Sequence, residues 1–160
     1  MELVNIGQRV YSKIKEIMER YKKYGTYLCF PYEWGERALR GWLVYEIFHE
    51  ILEWPIRFIV MGEQFDVLFI DEEVRPRIYL ETKKPGRGLA YINDLEKRTR
   101  FYGTLKYAVI TDGNVWGRFE VRGGRLTKQM TLDIERNPQM ELWGEFFKPL
   151  HARNFLYEVM

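Results

Sequence analysis

The run Gln64-Phe-Asp-Val-Leu-Phe-Ile-Asp-Glu-Glu-Val-Arg-Pro-Arg-Ile-Tyr-Leu-Glu-Thr-Lys83 decides the fold. It holds two short β-rich stretches, Phe65 to Ile70 and Arg77 to Lys83, joined by charged turn residues from Asp71 to Pro76. That pattern predicts an antiparallel hairpin. Apart from Asp66, everything from Phe65 to Ile70 is apolar, as expected of a strand covered on both faces. Side chains alternate along a strand, so Tyr79, Glu81 and Lys83 share one face while Ile78, Leu80 and Thr82 share the other. The apolar face is assigned to the core.

Outward from the hairpin, the period of the pattern changes. Upstream, Ile56 to Val60 reads as another strand, joined by a tight turn at Met61-Gly62-Glu63. Two helices precede it. The first runs from Gly7 to Lys23 with Val10, Ile14, Ile17, Met18 and Tyr21 at helical spacing, and a loop through Gly25 and Pro31 follows. The second runs from Tyr32 to Leu52 and stops before Pro55. Downstream, Lys84-Pro-Gly-Arg-Gly88 breaks the strand, and a helix from Ala90 to Tyr102 comes next. Strands then span Lys106 to Thr111, Val115 to Val121 and Leu126 to Ile134, with turns at Asp112-Gly113 and Gly123-Gly124. A short helix is expected around Glu141 to Phe147. The order predicts an α/β sandwich with a mixed central sheet and helices packed outside.

Composition bounds the function. A chain of 160 residues can bury one core without staples, so residues 1–160 are read as a single domain. With 46% of residues apolar it is not a disordered segment. No apolar stretch approaches the about 18 residues of a membrane span. No signal peptide opens the chain. Cys29 stands alone, which excludes an internal disulfide, and there is no Cys/His cluster for zinc. The expectation is a soluble, cytoplasmic protein with no membrane partner. Ser12 is the only serine and charged residues make up 30% of the chain, a bias that fits a hyperthermophile. Net charge is only +2, yet Lys83, Lys84, Arg87, Lys97, Arg98, Arg100 and Lys106 crowd the middle third. Such a run is either solvated surface or a nucleic-acid footprint.

The chemistry concentrates on the hairpin. Glu81-Thr-Lys83 is the only Asp/Glu-x-Lys in the chain. It is read either as a surface ion pair or as half of a site whose other half is Asp66. A buried carboxylate at Asp66 costs several kcal/mol, roughly, unless a cation or hydrogen bonds compensate. The hairpin brings Asp66 to the same edge as Glu81. Two carboxylates and a backbone carbonyl make a hard oxygen site suited to Mg²⁺. Lys83 is then placed to orient or activate a water for in-line attack on a phosphodiester. On the second helix, counted at about 100° per residue, Glu36 lies along the stripe of Leu43, Ile47 and Ile51, whereas Glu46 and Glu53 fall off it and read as solvated. Glu36 is either a member of the acidic site or a favourable acid at a helix N-terminus. His49 and His151 are isolated and read as structural.

Asp66, a gap across a hairpin, then Glu81-x-Lys83 resembles the motif of the PD-(D/E)XK nucleases, with Phe65 where a proline usually precedes the aspartate. Glu36-Arg-Ala-Leu-Arg40-Gly-Trp-Leu-Val resembles the acid-bearing first helix of that superfamily. Tyr107-Ala-Val-Ile-Thr-Asp-Gly-Asn-Val-Trp116 resembles the Thr-Asn-Gly-x-x-Trp hairpin of the N-terminal nuclease domain of type I restriction enzyme R subunits. Their Gln-x-x-x-Tyr is matched in spacing by Arg98-x-x-x-Tyr102, with Arg in place of Gln. Arg98 is read either as a bidentate phosphate ligand or as a core-edge arginine paired with an acid such as Glu81.

The resemblance covers residues 33 to 121, leaving the N-terminal helix and the C-terminal tail as additions. It implies a restriction-endonuclease-like three-layer sandwich and a metal-dependent endonuclease acting on DNA. Asp66, Glu81 and the backbone carbonyl of Thr82 would bind Mg²⁺, with Mn²⁺ able to substitute. Lys83 would position the attacking water, and Glu36 would complete the acidic cluster or hold a second ion. Lys84, Arg87, Lys97, Arg98 and Tyr102 would contact DNA. The chain carries no Walker-type phosphate loop, so a translocating motor or specificity subunit, if used, is a separate partner, and a homodimer is the other assembly expected. Two alternatives stand beside this reading: a non-cleaving DNA-binding or interaction subunit on the same fold, and a junction-resolving or RNA-directed nuclease.

Overall fold

A computed structural model describes residues 3–27, 32–62, 66–89 and 92–157. It is a mixed α/β structure built on one six-stranded sheet. The first helix, α1, spans Leu3–Tyr27, and α2 spans Tyr32–Leu43. Strands β1 (Ile59–Met61), β2 (Val67–Ile70) and β3 (Pro76–Thr82) follow. Helix α3 (Ile92–Thr99) leads to β4 (Tyr107–Thr111), β5 (Val115–Arg122) and β6 (Arg125–Asp133), and α4 spans Met140–Phe147. The strands lie in sequence order across the sheet. Every neighbouring pair is antiparallel except β3 and β4, which run parallel. A parallel pair needs a crossover, and α3 supplies it. The first helix runs on past Lys23 and through Gly25 to Tyr27, so the expected loop begins later than the sequence suggests. Its Pro31 end, the residues Glu63 to Phe65 of the first hairpin, and the helix start at Ala90 lie outside the described residues.

Helices cover both faces. Ile78 and Leu80 of β3 join Val67 and Phe69 of β2 in a core with Ile14 and Ile17 of α1, Leu39 and Leu43 of α2, and Trp143, Phe146 and Phe147 of α4. The opposite side chains, Leu68, Tyr79, Ala108 and Ile110, pack with Leu95 of α3. Of the two readings of Glu81-x-Lys83, a surface ion pair does not hold. The Tyr79–Glu81 face of β3 packs toward α3, and Glu81 is only 2% exposed. The segments outside the family resemblance also form part of the main core. Gly7 of α1 sits so close to α4 that a Cβ there would lie 1.9 Å from the Met140 carbonyl oxygen. Arg118 of β5, also buried, donates to the carbonyls of Glu145 (2.8 Å) and Phe146 (2.6 Å) at the C-terminal end of α4, where such groups lack helical partners.

After Leu43 the helix widens. Val44–His49 is π-helical, with Glu50 and Leu52 donating to carbonyls five residues back, Tyr45 (3.1 Å) and Ile47 (2.9 Å). The wider turn breaks the 100° count used on the sequence and corrects one assignment. Glu46 is not a solvated acid. It faces α1, paired with Arg20 and, at 3.7 Å, with Lys13. Its hydrogen bond to Arg20 outweighs partial burial and holds the carboxyl below the usual range. Glu53 remains exposed beside buried His151, 3.1 Å from its Nε2.

The hairpin between β2 and β3 is held by Asp71. Its Oδ1 accepts the N–H groups of Glu73 and Arg75 at 3.0 Å each, and its Oδ2 accepts Arg75 Nε at 2.9 Å. Burial pushes the Asp71 carboxyl up, but these donors together prevail and hold it below its ordinary value. At the same turn Val74 adopts φ 63° while 71% exposed, a left-handed conformation that a β-branched residue resists. Val74→Asn removes that strain without costing a packed side chain. It should stabilise the protein by about 1 kcal/mol and raise Tm by roughly 2–4 °C, as read by thermal unfolding.

Candidate active site

Backbone direction along β3 sets the site. Odd-numbered residues turn their main-chain groups to β4: Arg77 accepts from Lys106 N–H at 2.8 Å, and Lys83 N–H donates to the Thr111 carbonyl at 2.8 Å. Even-numbered residues therefore face β2, where Val67 pairs with Leu80. One step beyond that pair, Asp66 stands opposite Glu81. Its Oδ2 accepts Thr82 N–H at 2.6 Å and Thr82 Oγ1 at 3.0 Å, extending the ladder with a side chain just before β2 begins. The Thr82 carbonyl lies on this same side of the strand.

Glu81 is the most perturbed acid in the arrangement. Burial pushes its carboxyl up, the neighbouring Asp66 charge pushes it further, and the result is about 7. Arg98 Nη1 of α3, 2.6 Å from Glu81 Oε1 and 3.1 Å from Oε2, pulls the other way, as does Lys83 Nζ at 4.0 Å. The rise despite two cations means that desolvation and like-charge repulsion win. Arg98 thus occupies the position of a core-edge arginine paired with Glu81, while its side chain stays about half exposed.

Glu36 does not touch the acid pair directly. Arg40, one helical turn further along α2, lies between them. Its Nη2 is 3.5 Å from Glu36 Oε1 and 3.3 Å from Asp66 Oδ1. Its Nε donates to Thr82 Oγ1 at 3.0 Å, the same hydroxyl that donates to Asp66. Sequence reading passed over Arg40, although its spacing of four from Glu36 marks a same-face pair on a helix.

The turn after β4 fixes the loop after β3. Asp112, buried, accepts Asn114 N–H (2.9 Å) and Val115 N–H (2.8 Å) on Oδ1, closing its own turn. Its Oδ2 accepts Gly86 N–H (3.1 Å) and Gly88 N–H (2.8 Å) from the neighbouring loop. Thr111 Oγ1 accepts Gly113 N–H at 2.9 Å, and Trp116 Nε1 donates to the Gly113 carbonyl at 3.1 Å. Gly113 has φ 94°, which explains the glycine. The Thr-x-Gly-x-x-Trp pattern is therefore a self-bonded turn, and Asp112 ties it to the segment carrying Lys84 and Arg87. The tendency of Asp to bond main-chain groups two residues on was the signal for this role.

Cavities flank the acid pair on two sides. One of about 550 Å³ is lined by Arg37, Arg40, Met61, Gly62 and Asp66. Another of about 320 Å³ is lined by Tyr79, Arg98, Phe101 and Tyr102. Of the expected DNA contacts, Arg98 and Tyr102 border the second cavity, Lys97 is exposed on α3, Arg87 is exposed on the loop after β3, and Lys84 beside it is half-buried.

The donor chemistry fits a hard divalent cation. Two carboxylates oppose each other at the end of β2–β3, one with its proton affinity raised by the other, and a main-chain carbonyl lies on the same side. Among the described residues no group of three or more His, Cys, Asp or Glu is arranged to hold a metal, so the site would rest on two carboxylates plus that carbonyl.

The raised Glu81 makes stability pH-dependent in a defined direction. Unfolded, its carboxyl titrates near 4.5; folded, near 7. Across that window the native state holds the extra proton, so its contribution to stability is present at low pH and is lost as pH rises toward 7. In chelator-containing buffer, denaturant unfolding of wild type should show a loss of up to about 1.4 kcal/mol per pH unit over the window, and Asp66→Asn a smaller loss. The Asn side chain keeps an acceptor for Thr82 and removes the Asp66 charge, the second cause of the shift, while the larger cause, burial, stays. Compared with known proteins, the chain matches no family model, no curated protein and no solved structure.

Proposed function

We propose that the chain is a metal-dependent endonuclease of restriction-endonuclease-like fold, hydrolysing DNA phosphodiester bonds at Asp66, Glu81 and Lys83. The observation that carries this reading is the buried apposition of Asp66 and Glu81, with the Lys83 ammonium 4.0 Å from Glu81. Stability alone gives little reason to force two acids together at a strand end and raise one to about 7. The chain order also supports it: a helix, a three-stranded antiparallel meander, and a crossover helix to a parallel strand.

Asp66, Glu81 and the Thr82 carbonyl would hold Mg²⁺, or Mn²⁺ in its place. A bound divalent ion supplies positive charge to the phosphate and lowers the pKa of a bound water. The remaining work falls to the chain. Lys83 holds the attacking water beside the carboxylate pair and offsets negative charge on the phosphate oxygens. Arg98 competes for Glu81 and must yield or share it, which leaves its guanidinium free to meet a phosphate. Arg40 fixes Asp66 and Thr82, and Glu36 acts through Arg40. Arg37 and Arg40 bring positive charge to the larger cavity, which suits the nucleic-acid backbone.

A second reading is favoured by one specific observation: both acids already carry arginine partners, Arg40 on Asp66 and Arg98 on Glu81. A DNA-binding module without cleavage would keep those pairs closed. The two readings separate in a cleavage assay on duplex, single-stranded and branched DNA with Mg²⁺ or Mn²⁺. The nuclease reading expects metal-dependent cleavage that falls at least about a hundredfold in Asp66→Ala, Glu81→Ala and Lys83→Ala. Glu36→Gln should cost less, roughly tenfold. Because the ion needs Glu81 deprotonated, the Mg²⁺ concentration giving half-maximal rate should rise as pH falls below about 7. DNA binding with no cleavage at any pH would establish the second reading instead, and cleavage surviving in all three alanine variants would discard the site.

A further inference from the structure

The cavity on the α3 side of Glu81 has features that the catalytic reading does not use. Phe101, just beyond the end of α3, is 86% exposed and stands at the mouth of this cavity. Its neighbour Tyr102 and the buried Tyr79 complete three aromatic walls, with Tyr79 and Tyr102 ring centroids 6.1 Å apart. The Tyr79 hydroxyl is the second observation. It is fully buried and makes no well-formed hydrogen bond; the Arg98 guanidinium, which also pairs with Glu81, is the polar group beside it. Buried polar groups are normally satisfied, so a hydroxyl this poorly partnered, lining a cavity, has capacity for a group that arrives from outside. Among the described residues, the other lining side chain is Arg98, whose guanidinium also touches Glu81. Whatever fills this cavity therefore lies next to the acid pair.

We propose that this cavity receives an unpaired nucleobase of the DNA strand bound at Asp66 and Glu81. Aromatic faces and an arginine plane stack any base, and the Tyr79 hydroxyl offers a hydrogen bond to its edge. Tyr79 precedes Glu81 by one pleat on the same face of β3, so base and phosphate of adjoining positions reach the two sites together. A base inside a duplex is stacked and paired and cannot enter a side cavity without being extruded. The inference rests on the nuclease reading for the location of the phosphate, and it deepens that reading by naming the substrate class as single-stranded DNA or a duplex with an unpaired nucleotide at the cleavage position.

The test separates the two. In chelator-containing buffer, wild type is titrated into a short single strand carrying a fluorescent purine analogue, and into the same strand as a duplex. Stacking in the cavity should quench the single strand on binding and leave the duplex unquenched. Phe101→Ala, an exposed position whose truncation spares the core, should abolish the quench and weaken single-strand binding roughly tenfold. Tyr79→Phe should weaken it several-fold while Tm changes little, because the hydroxyl makes no well-formed bond and loses only its contact with Arg98. A purely structural Tyr79 would leave binding unmoved. In the Mg²⁺ cleavage assay, unpaired substrates should be preferred and Phe101→Ala should remove the preference. Equal cleavage of duplex and single strand, with no quench and no effect of Phe101→Ala, would overturn the base cavity and leave the nuclease intact. Quench and its loss in Phe101→Ala, with no substrate cleaved, would sustain the cavity and overturn the nuclease.

Discussion

Two carboxylates confined at one end of a covered sheet set the terms for their surroundings. Asp66 and Glu81 face each other across β2 and β3, and helices on both sides deny Glu81 the water that would otherwise screen it. Each element nearby answers that confinement. Arg40 arrives from α2 on one face of the sheet, Arg98 from α3 on the other, and Lys83 from β3 itself. Two main-chain directions complete the arrangement: Thr82 turns toward Asp66, while Lys83 turns its N–H toward β4. The positive charges reduce the repulsion without removing it, as the persistent upward displacement of Glu81 testifies. A site balanced in this way can exchange one cationic partner for another at small net cost, since the charge deficit is already present.

Much of this was legible because it follows from the strand period. Alternation alone placed Glu81 with Lys83, and the turn chemistry of Asp71 to Pro76 brought Asp66 into register with them. What the period could not convey was burial of that face. The residues that cover it belong to α3, more than ten positions later, and nothing in Tyr79-Leu-Glu81 announces them. Glu46 was misjudged for a local reason. A count of 100° per residue assumes an α-helix throughout, whereas the widened turn at Val44–His49 swings Glu46 toward α1. Glu36 fell on the predicted face, but its reach to Asp66 is indirect because Arg40 intervenes, and a one-dimensional stripe cannot show what lies between two side chains.

Asp112 illustrates the opposite limit. Its turn was read correctly as a turn, yet half of its work is done on another loop. The carboxylate satisfies Asn114 and Val115 at home and Gly86 and Gly88 abroad, so one side chain converts a local motif into a fixed distance between two ends of parallel strands. Motif matching saw only the local half. The spacing of Thr111, Gly113 and Trp116 describes how the turn holds itself together; the residue between them describes what the turn holds in place. Among the described residues, no helix is long and apolar enough to cross a membrane. The buried apolar side chains form two clusters, one on each face of the sheet.

The close packing of α1 on α4 at Gly7 carries a consequence for how the molecule comes to exist. Each strand pairs with its sequence neighbour, so the sheet can assemble progressively as the polypeptide is made. The helical layer over it cannot, because the first helix waits for the last to close against it. Until α4 emerges from the ribosome, the apolar face behind Asp66 lacks part of its cover, and the acids lack a rigid backing. Closure of the helical layer thereby waits on α4, whatever the order in which the strands have paired.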